Sequence, residues 1–217
     1  MPGLRLYDYR ASCNCLKVRI LLGQLGLEYE RVNVDIFDGD TLTDDFRAIN
    51  PARSTPVLET ADGRHIQESN AILWYLAEGT EYLPGDAYER AQVLRWLMFE
   101  QRYVQTSISR LRYWTLTGKL DRFAHDVASA RALGNRALDV LDGEFAKRPF
   151  IAGDAYTIAD MSIFAYSHVA GDANFDLSAR KSLCAWFDRI KRQPGFAAEV
   201  VPYSADPYSS QMLPFAV

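Results

Sequence analysis

Two hydrophobic periods divide the chain. Through the first 80 residues, short apolar runs alternate with stretches in which apolar residues return every three or four positions. Leu4–Tyr9 is a short apolar and aromatic run and reads as a strand. Val18, Leu21, Leu22 and Leu25 then recur at helical spacing, and Gly26 supplies the stop. Tyr29–Val34 is a second strand, so this part opens on a βαβ unit with a parallel strand pair. After a polar loop, Pro56–Glu59 and Arg64–Ile66 flank Ala61-Asp62-Gly63, whose Asp-Gly marks a hairpin turn. Ala71, Ile72, Tyr75 and Leu76 form a last helix that ends near Gly79. The predicted order is β-α-β-α-β-β-α.

Beyond Gly85 the alternation stops. Tyr88–Thr117 and Phe123–Phe145 are long helix-compatible stretches, the second interrupted only by Gly134 and Gly143. Two further helices fit Ile158–Ala170 and Ser178–Arg192. The expected organisation is an α/β domain over 1–79, a linker over 80–85 and an all-α domain over 86–217. The last part, 197–217, carries three prolines and three serines and is expected to be irregular. Thr157-Ile158-Ala159-Asp160 has the capping-box pattern ahead of an apolar run, with Tyr156 and Met161 placed for a hydrophobic staple. That is a folding device, with no catalytic role assigned.

Composition narrows the function classes. The 217 residues are 48% hydrophobic and 24% charged, an ordinary globular balance with room for a core. A formal net charge of −4 offers no general attraction to nucleic acid or anionic membranes. No apolar run approaches the ~20 residues that span a bilayer, and the first residues lead directly into a strand without a basic-then-apolar signal segment. Three cysteines, two of them at 13 and 15, make no disulfide framework, which points to a reducing, cytoplasmic setting. Cys-x-Cys with no second ligand pair nearby argues against a metal site.

Chemistry concentrates where the first helix begins. Ser12-Cys13-Asn14-Cys15 crowds a hydroxyl and two thiols at a helix N-terminus, where free N–H groups and the helix dipole stabilise an anion. The residues alone leave two readings of Ser12 open, as a plain N-cap or as an activating hydroxyl.

The motifs in their order resemble those of the cytosolic glutathione transferases. The segments that carry the resemblance are Ser12-Cys13-Asn14-Cys15-Leu16-Lys17-Val18-Arg19, Asn50-Pro51 with Ser54-Thr55-Pro56-Val57-Leu58, Gln67-Glu68-Ser69-Asn70-Ala71-Ile72, and Gly153-Asp154 with Thr157-Ile158-Ala159-Asp160. They cover about residues 4 to 196. The resemblance implies a thioredoxin-like N-terminal domain, an all-helical C-terminal domain, and glutathione as co-substrate with no metal. In the serine-type classes the hydroxyl at the Ser12 position donates to the glutathione sulfur and stabilises the nucleophilic thiolate. Cys13 is the rival: if exposed beside the same dipole, it could form a mixed disulfide with glutathione. Cys15 falls at the inward position and reads as a small buried hydrophobe. Tyr7 and Tyr9 rank below Ser12, because strand tyrosines more often pack.

The resemblance also assigns a glutathione site. Thr55-Pro56 matches the family's cis-proline turn, and the main chain of Val57 is expected to pair with the cysteinyl part of glutathione like an added strand. The Ser69 hydroxyl and N–H would hold the γ-glutamyl carboxylate, and Glu68 the γ-glutamyl amino group. Where the family usually has Gly followed by Lys or Gln before the turn, this chain reads Arg53-Ser54, and Arg53 reads either as the cation for the glycyl carboxylate or as an exposed loop arginine without a partner. Asn14 completes the set.

For the electrophile, the resemblance points to the start of the helical domain. Tyr103, Arg110, Tyr113 and Trp114 would lie close to one α-helical face and make an aromatic wall with one cation. The same residues also read as ordinary packing between helices. The serine-type classes include maleylacetoacetate isomerases, but Cys13-Asn14 departs from their usual second serine followed by cysteine. Glutathione-dependent isomerisation, thiol oxidoreduction through Cys13, and a non-catalytic binding module stand as alternatives to conjugation. A homodimer is expected, with Trp74, Tyr75, Trp96, Phe99 and Tyr103 as its aromatic surface.

Overall fold

A computed structural model of the protein describes residues 3–204. Its first part runs β1 (Leu4–Asp8), α1 (Cys13–Gln24), β2 (Tyr29–Asn33), α2 (Asp44–Ile49), β3 (Val57–Glu59), β4 (His65–Gln67) and α3 (Ser69–Ala77). This is the expected β-α-β-α-β-β-α order. The sheet is ordered β2-β1-β3-β4, with β1 parallel to β2 and antiparallel pairs between β1 and β3 and between β3 and β4. Register fixes which residues share a face. Leu6 pairs with Leu58, and both bury against Val18 and Leu22 of α1 and Ile72 of α3. Tyr7 pairs with Val57 on the opposite face, where Val34 and Phe46 of the α2 side pack. The period-2 alternation thus sorts α1 and α3 to one face and α2 to the other.

The helical part contains α4 (Ala87–Phe99), a π-helical segment (Glu100–Ser109), α5 (Arg110–Leu116), α6 (Ala124–Phe145), α7 (Ile158–Ser167) and α8 (Lys181–Lys191). The stretch read as one long α-helix over 88–117 is therefore three segments. Helix α6 runs unbroken through Gly134 and Gly143, which were expected to interrupt it. Gly134 is required there because any Cβ would clash with the ring of Phe175. All ten residues of α7 are buried, and its capping box is formed. Thr157 Oγ1 accepts from Ala159 N–H at 3.3 Å, while the Asp160 carboxylate accepts from Thr157 N–H at 3.1 Å. Asp160 also accepts from Ile151 N–H at 2.9 Å and Trp186 Nε1 at 3.1 Å, joining the helix start to α8 and the preceding turn.

Among the described residues the chain divides between Leu83 and Pro84, inside the 80–85 stretch, and Pro84–Arg192 forms the second unit. Gln193–Ser204, assigned by sequence to the helical domain, belongs to the first unit instead. It is irregular, as its composition predicts, but it is anchored. Gln24 Nε2 donates to Pro194 O at 3.1 Å, and Arg10 pairs with Glu199 at 2.5 Å. Gly195, at a left-handed φ of 67°, passes close against the Gln24 main chain. Tyr203 stacks on Tyr9, and Ser204 Oγ donates to Asp35 at 3.0 Å. The rest of the predicted tail, 205–217, lies outside the described residues.

Burial raises the Asp160 carboxyl to about 6, against the lowering effect of its hydrogen bonds. The protonated form is the one folding favours, so this contribution is full below about pH 4 and lost as pH rises through 6. Compared with Asp160→Asn by urea unfolding, the wild type should gain relative stability when pH falls from 7 to 4. A constant difference across that range would contradict the assignment.

Candidate functional site

The site grows from the connection between β1 and α1. Asp8 ends β1 fully buried, and Arg19 on α1 donates to its Oδ1 at 2.5 Å and to the Arg10 carbonyl at 3.0 Å. That clamp holds the short turn that presents Ser12 as the N-cap of α1. The Ser12 N–H donates to the Tyr9 carbonyl at 2.9 Å, and its Oγ accepts from Cys15 N–H at 3.3 Å. Capping occupies a lone pair of the hydroxyl, and its proton is directed to the Cys15 thiol, a weak acceptor. Ser12 is half-buried, and no acidic residue occupies the first turn of α1 to oppose an anion there.

The two neighbouring thiols differ from the hydroxyl. Cys13 is only 1% exposed, contrary to the exposed position its rival role needs. The turn directs Ser12 outward and packs the next side chain inward. Cys15 is buried as expected, and burial, with Asp8 adding, pushes its thiol up to about 12. Hydrogen bonds from Thr55 and Ser12 to this thiol pull in the other direction by less, and they bring the helix start and the Thr55 turn onto one sulfur. The strand tyrosines are engaged elsewhere. Tyr7 donates to Glu59 at 2.9 Å, and the Tyr9 hydroxyl bonds Ser204 Oγ at 2.8 Å.

The Thr55-Pro56 bond is cis, as the motif predicts. Buried Asn50 shapes the approach to it: its Nδ2 donates to the Ser54 carbonyl at 2.8 Å and its Oδ1 accepts from Ala52 N–H at 3.0 Å. Arg53 takes a left-handed φ of 52° in this turn, is half-buried, and enters no ion pair among the described residues. One assignment meets an obstacle. Val57 is fully buried and in register with Tyr7 on one side and Gln67 on the other, so it has no open edge for a peptide. Thr55 lies outside the strand and half-buried, and among the described residues no hydrogen bond uses its main-chain N–H or C=O. The main-chain pairing expected of Val57 is therefore closed to that residue.

Glu68 and Ser69 meet α1 from the other side. Glu68 is exposed at φ 68°, a left-handed conformation uncommon for a residue with a side chain, and it makes no side-chain cap to α3. Such positions are often held at ligand sites. Ser69, the first residue of α3, is 3% exposed. Its hydroxyl donates to Asn14 Oδ1 at 3.4 Å and accepts from Lys17 Nζ at 3.4 Å. Lys17 is fully buried and did not figure among the expected site residues. Its signal was a lysine set in an apolar helical run, three positions after Asn14.

The second group of expected residues is only partly brought together. The π-helix over Glu100–Ser109 has i→i+5 bonds and a wider turn, so Tyr103 and Arg110 are not two α-helical turns apart. Trp114 is 5% exposed and stacks on Phe123 at 4.5 Å, with Arg110 over its ring. It packs, as its alternative reading had it. Tyr103 and Tyr113 are half-buried and Arg110 is exposed. Lys119 Nζ donates to the Tyr113 hydroxyl at 2.8 Å. In the expected dimer surface Trp96 drops out, since it is 1% exposed and packed against Phe99. The exposed apolar positions of α4 are Tyr88, Leu94 and Met98.

Known proteins share both parts. The glutathione S-transferase N-terminal domain family matches residues 11–78, and the corresponding C-terminal domain family matches residues 102–194. Glutathione S-transferase 3 of Zea mays is 31% identical over 97% of this chain and 100% of its own. The disulfide-bond oxidoreductase YghU of Escherichia coli (strain K12) is 31% identical over 88% of this chain and 72% of its own. The crystal structure of a glutathione S-transferase from Pseudomonas fluorescens superposes with a TM-score of 0.87 at 38% identity, covering 89% of this chain and 97% of that one.

The burial pattern makes a statement about thiol reactivity. Ellman titration at pH 8 should find one accessible thiol in the native protein, half-buried Cys184, and all three after unfolding in guanidinium chloride. Rapid native labelling of Cys13 would contradict the closed turn.

Proposed function

The chain belongs to the glutathione S-transferase family, and from that premise we propose that Ser12 activates the thiol of bound glutathione for transfer to a small electrophile. The observation that carries this reading is the Ser12 hydroxyl itself, half-buried at the N-cap of α1 with its oxygen engaged by Cys15 N–H and its proton on the Cys15 thiol, a weak acceptor that a glutathione thiolate would replace. The thiol proton leaves to solvent. The Ser12 O–H and the positive end of α1 then stabilise the thiolate, whose lone pair forms the new C–S bond. The electrophile's leaving group departs with its bonding pair, or its conjugated π pair is displaced and takes a proton from solvent.

The remaining groups fit the parts of glutathione in turn. Thr55 N–H and C=O pair with the cysteinyl main chain. The Glu68 carboxylate takes the γ-glutamyl ammonium, and Ser69 takes the γ-glutamyl carboxylate. Asn14 supports Ser69, and Arg53, without an ion pair among the described residues, faces the glycyl carboxylate as a cation. Tyr103, Arg110 and Tyr113 serve the second substrate, a flat or carboxylated electrophile. Among the described residues no helix is long and apolar enough to cross a membrane, and three cysteines without a disulfide framework suit work in the reducing cytoplasm.

A second reading, glutathione-dependent disulfide reduction, is favoured by the likeness to YghU, whose name carries that activity. Through Cys13 it requires the buried thiol to be uncovered first. One set of assays separates the two. Ser12→Ala should lower conjugation of glutathione to a generic electrophile by about tenfold or more, since a hydrogen bond to a thiolate is worth ~1.5–3 kcal/mol, with glutathione affinity little changed. Cys13→Ser should leave conjugation intact. Unchanged turnover in Ser12→Ala sinks the first reading. Disulfide reduction by the wild type that is lost only in Cys13→Ser would establish the second.

The family's two-fold assembly is also proposed for this chain, through Trp74, Tyr75 and the exposed apolar positions of α4. Sedimentation at low micromolar concentration should give about twice the 24.6 kDa chain mass. A fully active monomer would rule the assembly out.

A further inference from the structure

Lys17 is fully buried, and its ammonium donates to the Ser69 hydroxyl oxygen at 3.4 Å. Withdrawing an ammonium from water is costly unless other charges and dipoles replace the water. Methionine would fill the same space between α1 and α3 without that cost, so packing alone does not account for a lysine here.

The hydrogen-bond inventory of Ser69 indicates what the charge serves. A serine hydroxyl has one proton and two lone pairs. Lys17 takes a lone pair, which commits the proton to an acceptor. In this structure the acceptor is Asn14 Oδ1 at 3.4 Å, a long bond that is readily exchanged for a better one. Asn14 and Lys17 stand three residues apart on one face of α1, so a single helix face sets both the acceptor and the cation around Ser69. Glu68, just before, leaves the start of α3 without a side-chain cap. A carboxylate arriving at Ser69 would receive a hydroxyl proton already polarised by the ammonium behind it, and charge-assisted chains of this kind strengthen one another.

We propose that Lys17 is a positioning residue for the γ-glutamyl carboxylate of glutathione, acting through the Ser69 hydroxyl. The inference rests on the glutathione reading above. It gives the carboxylate a buried counter-charge that does not touch the ligand, and it makes Ser69 more than a helix cap.

The test pairs a protein change with a ligand change. Wild type, Lys17→Met and Lys17→Arg are titrated calorimetrically with glutathione and with γ-aminobutyryl-cysteinyl-glycine, which lacks only the γ-glutamyl carboxylate. Lys17→Met should weaken glutathione by about tenfold or more and leave the decarboxy analogue bound as the wild type binds it. Lys17→Arg should recover part of the loss, and turnover at saturating glutathione should change by less than about twofold. If Lys17→Met does not fold, Lys17→Gln carries the same comparison. Equal weakening of both ligands, or of neither, overturns the assignment of Lys17 while leaving the proposed function standing. Failure of the wild type to bind glutathione overturns both.

Discussion

Asp8 closes β1 with no solvent exposure, and the Arg19 guanidinium meets it at 2.5 Å from α1. A carboxylate buried without such a partner costs several kcal/mol, so this pair fixes how α1 leaves the sheet. Because Arg19 also holds the Arg10 carbonyl, the three residues before Ser12 have little freedom. Everything assigned to the helix start follows from that clamp: Ser12 faces outward, Cys13 and Cys15 face inward, and Asn14 and Lys17 reach Ser69. An activating hydroxyl must be held still to favour a thiolate over a thiol. The clamp does that with main chain and charge, at a distance from any reacting atom.

On the proposed reading, Ser12 and Ser69 would divide the work of anion recognition. Each stands at the start of a helix, and in each the hydroxyl oxygen is engaged by a protein donor, while its proton goes to the Cys15 thiol from Ser12 and to Asn14 from Ser69. The two donors differ: a main-chain N–H behind Ser12 and an ammonium behind Ser69. The softer arrangement suits a sulfur that must leave toward an electrophile. The stronger suits a carboxylate that must stay.

Much of this was legible in the sequence, and what was not has physical causes. The alternation of β1 and the three-to-four spacing of α1 and α3 express burial of one face, so the α/β order could be read directly. The box at Thr157 was legible because capping depends on residues three apart. The π-helix was not, since no residue type announces i→i+5 bonding, and with it went the shared face of Tyr103 and Arg110. Val57 was read as main chain exposed by the proline turn. Only the pairing of β3 between β1 and β4 shows that no edge remains. Trp96 and Cys13 were misplaced for the same reason, as periodicity gives a face but not what covers it. Lys17 was hidden because a single lysine in a helix ordinarily reaches water along its own stem.

Gln193–Ser204 completes the first unit only after the whole helical unit has been passed. The sheet and its helices are synthesised early, yet Tyr9 and Asp35 gain Tyr203 and Ser204 as partners only from the last part of the described chain. Domains generally fold as units in the order they leave the ribosome, and here that order cannot be strictly kept. The N-terminal domain emerges first with the ring of Tyr9 and the carboxylate of Asp35 still uncovered, and it waits through the translation of more than a hundred codons for its final pieces. Nascent chains stalled short of residue 193 would therefore carry a nearly formed domain with one unsealed face, the face beside the turn that bears Ser12.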